Sequence, residues 1–308
     1  MAKCEVCFRH CEIKDGSLGF CGGRSCIDGK VIPVNYGRVT SLALDPIEKK
    51  PLNRFHPGSK IISVGSFGCN LRCPFCQNDE ISWSGQALSY AGYALEEMCG
   101  KETDAAGSAR SENDRTEYVS PEELTETAKY YRDRGNIGVA FTYNEPLIGY
   151  EYVLDTAKLV HEAGMVNVLV TNGTAELPIL EKLLPYVDAM NIDLKGFSQD
   201  YYNRTLGGNL EMTKRFIERA VKDCHVELTT LIVPEENDTE EEMRAICEWI
   251  SSLRDKNGDV VGESIPLHIS RFFPRYKMTD RAATDVGHIY HLADIARGSL
   301  KYVYTGNC

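Results

Sequence analysis

The chain has 308 residues, with 34 Lys and Arg against 45 Asp and Glu, a net charge of −11 at pH 7 and a hydrophobic fraction of 43%. That is enough chain for one large globular domain with a small appendage, or for two modest domains, and the composition excludes wholesale disorder. The acidic balance argues against sequence-independent nucleic-acid binding, which draws its affinity from Lys and Arg, and apolar runs such as Val166–Val170 fall far short of the roughly 20 residues that span a bilayer.

The opening residues, MAKCEVCFRHCEIKDG, contain no apolar h-region, so a cytoplasmic location is expected. Residues 1 to about 57 are punctuated by Gly16, Gly19, Gly22, Gly23, Pro33, Gly37, Pro46, Pro51 and Pro57. They read as a small Cys-rich appendage with little helix of its own, and residues 58–308 as the main domain. From Lys60 onward short β-branched runs alternate with longer helical patterns. Strands are expected at Ile61–Ser66, Ile137–Thr142, Val166–Thr171, Ala189–Leu194, His225–Val233 and Leu267–Arg271. Helices are expected around Pro121–Arg134, Leu147–Ala163, Leu177–Leu184, Leu210–Lys222, Glu240–Lys256 and Arg281–Arg297.

Two helices announce their starts. Ser120-Pro121-Glu122-Glu123 offers an N-cap serine, a proline at the first helical position and a capping-box glutamate. Thr239 with Glu242 repeats the T-x-x-E pattern. Cys99–Tyr118 is polar and aperiodic and reads as a mobile surface insertion. Six strands alternating with helices imply right-handed βαβ units and a parallel sheet. That leaves a doubly wound sheet or a barrel-like (β/α) arrangement. The first strand is not followed by G-x-G-x-x-G, which removes the main support for a dinucleotide fold.

Eight of the twelve cysteines lie in the first 76 residues, in two tight groups. A reduced protein of this size does not need disulfides, so grouped cysteines point to metal or iron–sulfur ligation. The second group, Cys69-x3-Cys73-x2-Cys76, leaves the first expected strand. Three such thiolates can hold three irons of a [4Fe–4S] cube, whose usual complement is four. The fourth ligand then comes from elsewhere in the chain or from a small molecule, and Phe75 would sit against whatever binds there. A structural zinc site normally wants four ligands in paired spacings, which this pattern suits poorly.

The first group is Cys4-x2-Cys7-x3-Cys11-x9-Cys21-x4-Cys26. A segment too short for its own core is frequently held by a metal. Zinc at Cys4, Cys7, Cys11 and Cys21 is the simplest reading, an auxiliary iron–sulfur cluster the second, and reduced unligated thiols the third. Cys99, Cys224 and Cys247 are scattered and read as packing residues.

In a parallel barrel the chemistry gathers at the C-terminal strand ends. Polar groups stand at those ends: Thr142-Tyr143-Asn144-Glu145-Pro146, Thr171-Asn172-Gly173, Asp193-Leu194-Lys195, Asn237-Asp238, and His268, Ser270 and Arg271. Each has an ordinary alternative as a turn, a cap or a surface ion pair. Their joint occurrence behind the three-cysteine loop favours function.

The three-cysteine loop resembles the cluster signature of radical S-adenosylmethionine (SAM) enzymes. The runs Pro51-Leu52-Asn53-Arg54-Phe55-His56-Pro57-Gly58 and Ser63-Val64-Gly65-Ser66-Phe67-Gly68-Cys69-Asn70 resemble the glycyl-radical-enzyme activase group and, within it, the radical SAM members of the AmmeMemoRadiSam system. The resemblance covers nearly the whole chain and implies a partial (β/α)6 TIM-like barrel. It implies a [4Fe–4S] cluster on Cys69, Cys73 and Cys76, with SAM on the open iron. It implies reductive cleavage to a 5′-deoxyadenosyl radical that abstracts hydrogen.

By the same resemblance, Asn144 and Glu145 stand where the family binds the SAM amino group, and Asp193 and Lys195 where it approaches the carboxylate and ribose. Phe75, Thr171, Asn172 and Arg271 complete the expected contacts. Two positions depart from the pattern. Val170 stands where some activases have a cation-binding Asp, and Phe273 where relatives carry a histidine. Relatives also keep further cysteines near the C-terminus, where this sequence ends in Gly306-Asn307-Cys308. The implied partners are a low-potential flavodoxin or ferredoxin, and either a glycyl-radical enzyme or a Memo-like protein. A non-catalytic Fe–S electron carrier is the alternative from a different class.

Overall fold

The computed structural model describes residues 1–100 and 116–308. Its centre is an eight-stranded sheet. The strands are β1 (Ser41–Pro46), β2 (Lys60–Gly65), β3 (Asn136–Phe141), β4 (Val166–Thr171), β5 (Ala189–Asp193), β6 (His225–Ile232), β7 (Leu267–Arg271) and β8 (Val303–Gly306). They lie side by side in chain order. From β2 to β8 every pairing is parallel, and β1 runs antiparallel along the outer edge of β2. A doubly wound sheet reverses its strand order at a switch point. Here the order never reverses, so the fold is α/β of the partial TIM-barrel kind.

The helices are α1 (Gly85–Met98), α2 (Pro121–Tyr130), α3 (Tyr150–Glu162), α4 (Leu177–Leu183), α5 (Leu210–Ala220), α6 (Glu240–Ser251) and α7 (Val286–Arg297). The six expected strands form within one or two residues of their predicted bounds. β1 and β8 were not expected, and β1 lies before the boundary drawn near residue 57. α1 was not expected either. The insertion expected over Cys99–Tyr118 falls at residues 101–115 outside the described residues, and Glu117–Tyr118 pairs with Arg38–Val39.

Local chemistry accounts for the helix starts. At α2 the complete capping box forms: Ser120 Oγ accepts from the Glu123 amide, and Glu123 accepts from the Ser120 amide at 2.8 Å. At α6 only half of it forms. Thr239 Oγ1 accepts from the Glu242 amide, but the Glu242 carboxylate turns away to accept from the Phe197 amide, a tertiary bond that outcompetes the local one. α7 begins at Val286 because Asp285 caps it. β3 and β4 approach so closely at Gly138 that a Cβ there would lie 1.8 Å from the Val166 carbonyl oxygen, so only glycine fits.

The run Pro51–Gly58 plugs the N-terminal end of the strands. Leu52 is fully buried, and the Asn53 and Arg54 amides donate to the Glu227 carboxylate of β6 at 3.0 and 2.7 Å. The Asn191 side chain of β5 donates to the Pro51 carbonyl at 2.9 Å. The first forty residues form two small hairpins, Ala2–Lys3 with Glu12–Ile13 and Arg24–Ile27 with Lys30–Pro33. They dock on the opposite, C-terminal end of the strands through a bridge between Cys7 and Ala175. Among the described residues no helix is long and apolar enough to cross a membrane.

Candidate active site

The loop that carries Cys69, Cys73 and Cys76 leaves β2 through Gly68. Its φ is +90°, and a Cβ at this position would lie 2.5 Å from the Cys21 carbonyl oxygen, so both conformation and space require glycine. Backbone bonds from separate segments pin the loop. The Cys69 amide donates to the Cys21 carbonyl at 3.1 Å, Arg72 to Leu206 at 2.7 Å, and Lys277 donates to Pro74 at 2.8 Å. The Asn144 side-chain amide donates to the carbonyls of Phe67 and Gly68, both at 3.2 Å, while its oxygen accepts from the Ser66 amide. Asn144 therefore braces the loop with its whole side chain.

The expected polar residues meet around this loop. Glu145 is buried and accepts from Thr171 Oγ1 at 2.7 Å, the Asn172 amide at 2.8 Å and the Leu147 amide at 3.1 Å. The Asn172 side-chain amide reaches Asn70 Oδ1 at 2.9 Å and Cys69 Sγ at 3.7 Å. Lys195 and Asp193, separated by Leu194 at the end of β5, form an ion pair at 2.8 Å, and the Tyr202 hydroxyl accepts from the Lys195 amide. Phe75 packs edge-on against Phe272, ring centroids 6.3 Å apart. Arg271 is held at the rim: Nε donates to the Thr284 carbonyl at 2.6 Å and the guanidinium stacks over Phe273.

Burial disfavours the charged forms of the acidic groups at the mouth. Burial pushes the Cys69 thiol well above its ordinary range and Cys76 upward, and takes Cys73 up to about 11 against the opposing pull of Lys195. Burial likewise pushes the Glu145 carboxyl up to about 7, although three hydrogen bonds work in the other direction. A cationic occupant would draw all four groups into their anionic forms. The donor set thus fits an iron–sulfur core beside a ligand carrying positive charge. Lys195 behaves differently. Burial alone would lower its pKa, and the neighbouring Asp193 and Cys73 outweigh that and hold it well above the ordinary lysine range.

Several contributors were not singled out from sequence. Asn70, inside the cysteine motif, donates to Thr174 Oγ1 at 2.9 Å and so ties the loop to the segment that follows β4. Arg9, inside the first cysteine group, donates to the carbonyls of Asn70 and Gly207 at 2.6 and 2.5 Å. Phe20 is sandwiched between the guanidinium groups of Arg9 and Arg72. The single cysteines divide. Cys247 is buried against Met243 and Cys224 is half-buried, as packing residues should be, but Cys99 is exposed at the end of α1.

Residues 63–250 match the Radical SAM superfamily, and the chain belongs to it. Within that class its likeness runs to pyruvate formate-lyase-activating enzymes. It is 29% identical to the pyruvate formate-lyase-activating enzyme of Clostridium pasteurianum, over 65% of this chain and 72% of that one. It is 24% identical to the pyruvate formate-lyase 1-activating enzyme of Escherichia coli K12, over 69% of this chain and 75% of that one. The uncharacterized protein MJ0808 of Methanocaldococcus jannaschii is 39% identical over 99% of this chain and 81% of its own length. Among solved structures, Streptococcus suis SuiB bound to S-adenosylmethionine shares the fold, with a TM-score of 0.54 and 10% identity over 80% of this chain and 52% of that chain.

Proposed function

We propose that this chain cleaves S-adenosylmethionine reductively and passes the radical to a hydrogen donor on another molecule. The observation that carries the reading is the convergence of Cys69, Cys73 and Cys76 with Glu145 and the Asp193–Lys195 pair at one barrel mouth. A [4Fe–4S] cluster on the three thiolates, when bound, supplies the electron that breaks the sulfonium bond, giving methionine and a 5′-deoxyadenosyl radical. The chain's own residues bind and orient. Glu145 sets a buried acceptor near the ligand's ammonium, Lys195 offers a fixed cation to its carboxylate, and Asp193 offers an acceptor to its ribose hydroxyls. Amides of Leu71, at 3.4 Å, and Asn172 point at Cys69 Sγ, and such bonds tune a cluster's potential. Phe75 on Phe272 forms the apolar wall that keeps water out.

The low potential required implies a flavodoxin- or ferredoxin-type donor. The likeness to activating enzymes supports a backbone glycine of a partner enzyme as the hydrogen donor. Anaerobically reconstituted, reduced protein should form 5′-deoxyadenosine from SAM. A failure to form any would leave a non-catalytic electron carrier. With a glycyl-radical enzyme deuterated at glycine, the label should appear in 5′-deoxyadenosine and a glycyl radical in the partner's EPR spectrum. Unlabelled 5′-deoxyadenosine and no partner radical would move the donor to a small molecule or a Memo-like complex.

Lys195→Gln separates ligand binding from cluster assembly. It should keep the wild-type iron content and weaken SAM binding by roughly tenfold, ~1.4 kcal/mol, the scale of one hydrogen bond to a charged group. Equilibrium binding of SAM to the reconstituted variant checks this.

A further inference from the structure

The radical SAM reading uses three of the twelve cysteines. Outside it, the first group is not scattered along its segment. Cys4, Cys7, Cys11 and Cys21 line one enclosed pocket together with Arg9, Arg24, Val6, Ile13 and Ile148. Local backbone bonds bring them there. The Cys4 amide donates to the Cys11 carbonyl at 2.9 Å, closing the hairpin, and the His10 amide donates to the Cys7 carbonyl at 3.1 Å, making a knuckle between the second and third thiols. His10 takes a φ of +40° to do so. The fifth thiol of the group is excluded. Cys26 is fully buried elsewhere, against Asp15 Oδ1 at 3.4 Å.

We propose that Cys4, Cys7, Cys11 and Cys21 bind a second [4Fe–4S] cluster, ligated at all four corners by this chain. Four thiols line one pocket with no disulfide among them, and four is the usual thiolate complement of the cube. The spacing Cys4-x2-Cys7-x3-Cys11 is that of Cys69-x3-Cys73-x2-Cys76 read in reverse. A buried four-thiolate centre is a net dianion. Arg9 lines the pocket and, among the described residues, has no carboxylate partner, its bonds going to backbone carbonyls.

Zinc, which also takes four thiolates in a closed site, is the competing occupant, and metal content separates the two.

The second cluster would adjoin the first, because the Cys21 carbonyl accepts from the Cys69 amide. Its ligation differs, since no corner is left for a small molecule. The test therefore isolates it. The full-length Cys69→Ala/Cys73→Ala/Cys76→Ala variant, reconstituted anaerobically with iron and sulfide, should retain about four irons per chain. After reduction it should give an EPR signal that added SAM leaves unchanged. The Cys4→Ser/Cys7→Ser variant should lose about the same amount from a wild-type content of about eight, while its remaining signal still responds to SAM. Cys26→Ser should keep both clusters. An iron-free triple variant, or one that carries zinc in place of iron, overturns the proposal even if the Cys4/Cys7 variant fails to fold.

Discussion

Cys73→Ala should drop 5′-deoxyadenosine formation on the order of 10³-fold or more, ~4 kcal/mol of barrier, and remove one cluster's worth of iron. The variant should still fold. The loop is held by the bonds Cys69–Cys21, Arg72–Leu206 and Lys277–Pro74, none of which uses the Cys73 side chain, and by Asn144 from beneath. What is lost is a buried sulfur donor that only a metal keeps ionised. Cys224→Ala is the matched control. Its half-buried thiol follows α5, donating weakly to the Ala220 carbonyl at 3.5 Å, away from the mouth, so iron content and SAM cleavage should both persist. Iron analysis, absorbance and product assay on the two variants check the pair. An active Cys73→Ala would remove the basis for the proposed function.

The second large effect lies at the other end of the strands. Glu227→Ala should lower the unfolding free energy by about 3–5 kcal/mol, the loss seen when one partner of a buried ionic network is removed. Glu227 has no solvent exposure, and it faces the ring nitrogens of His225 and His268 at 2.9 and 2.7 Å as well as the Asn53 and Arg54 amides. Burial would raise its pKa, but these partners outweigh that and bring it down to about 2 from 4.5. A carboxylate depressed on folding stabilises above its unfolded pKa and loses that contribution as pH falls toward the folded one. The stability gap between wild type and Glu227→Gln should therefore be full above about pH 4.5 and close progressively toward pH 2. Chemical denaturation across that range reads it directly. A gap that widens with acidification would contradict the assignment.

The six central strands were legible because their bodies are apolar and β-branched while their C-terminal ends turn polar, a pattern local enough to survive without tertiary context. The cysteine loop was legible for the same reason: its spacing is contained within eight residues. α1 was not, because the residues it buries are Ala87, Ala91 and Ala94. Small side chains at helical spacing leave little hydrophobic contrast to read. β1 was masked by Pro46 and β8 by its shortness beside Gly306 and Asn307. At the site, the resemblance placed Asn144 among the expected ligand contacts, but only tertiary structure shows its amide spent on the carbonyls of Phe67 and Gly68. The junction of Cys21 with Cys69 joins segments far apart in sequence, and no local pattern encodes it.

That junction changes what counts as the working piece of this protein. The superfamily match spans residues 63–250, yet the loop within it is steadied from before that span by Cys21 and Arg9, and from after it by Lys277 and Phe272. A fragment trimmed to the matched borders would keep the three thiols and lose the scaffolding that sets their positions. Sequence kinship marks out the candidate ligands here, whereas the mechanical unit that holds them runs from Arg9 to Lys277.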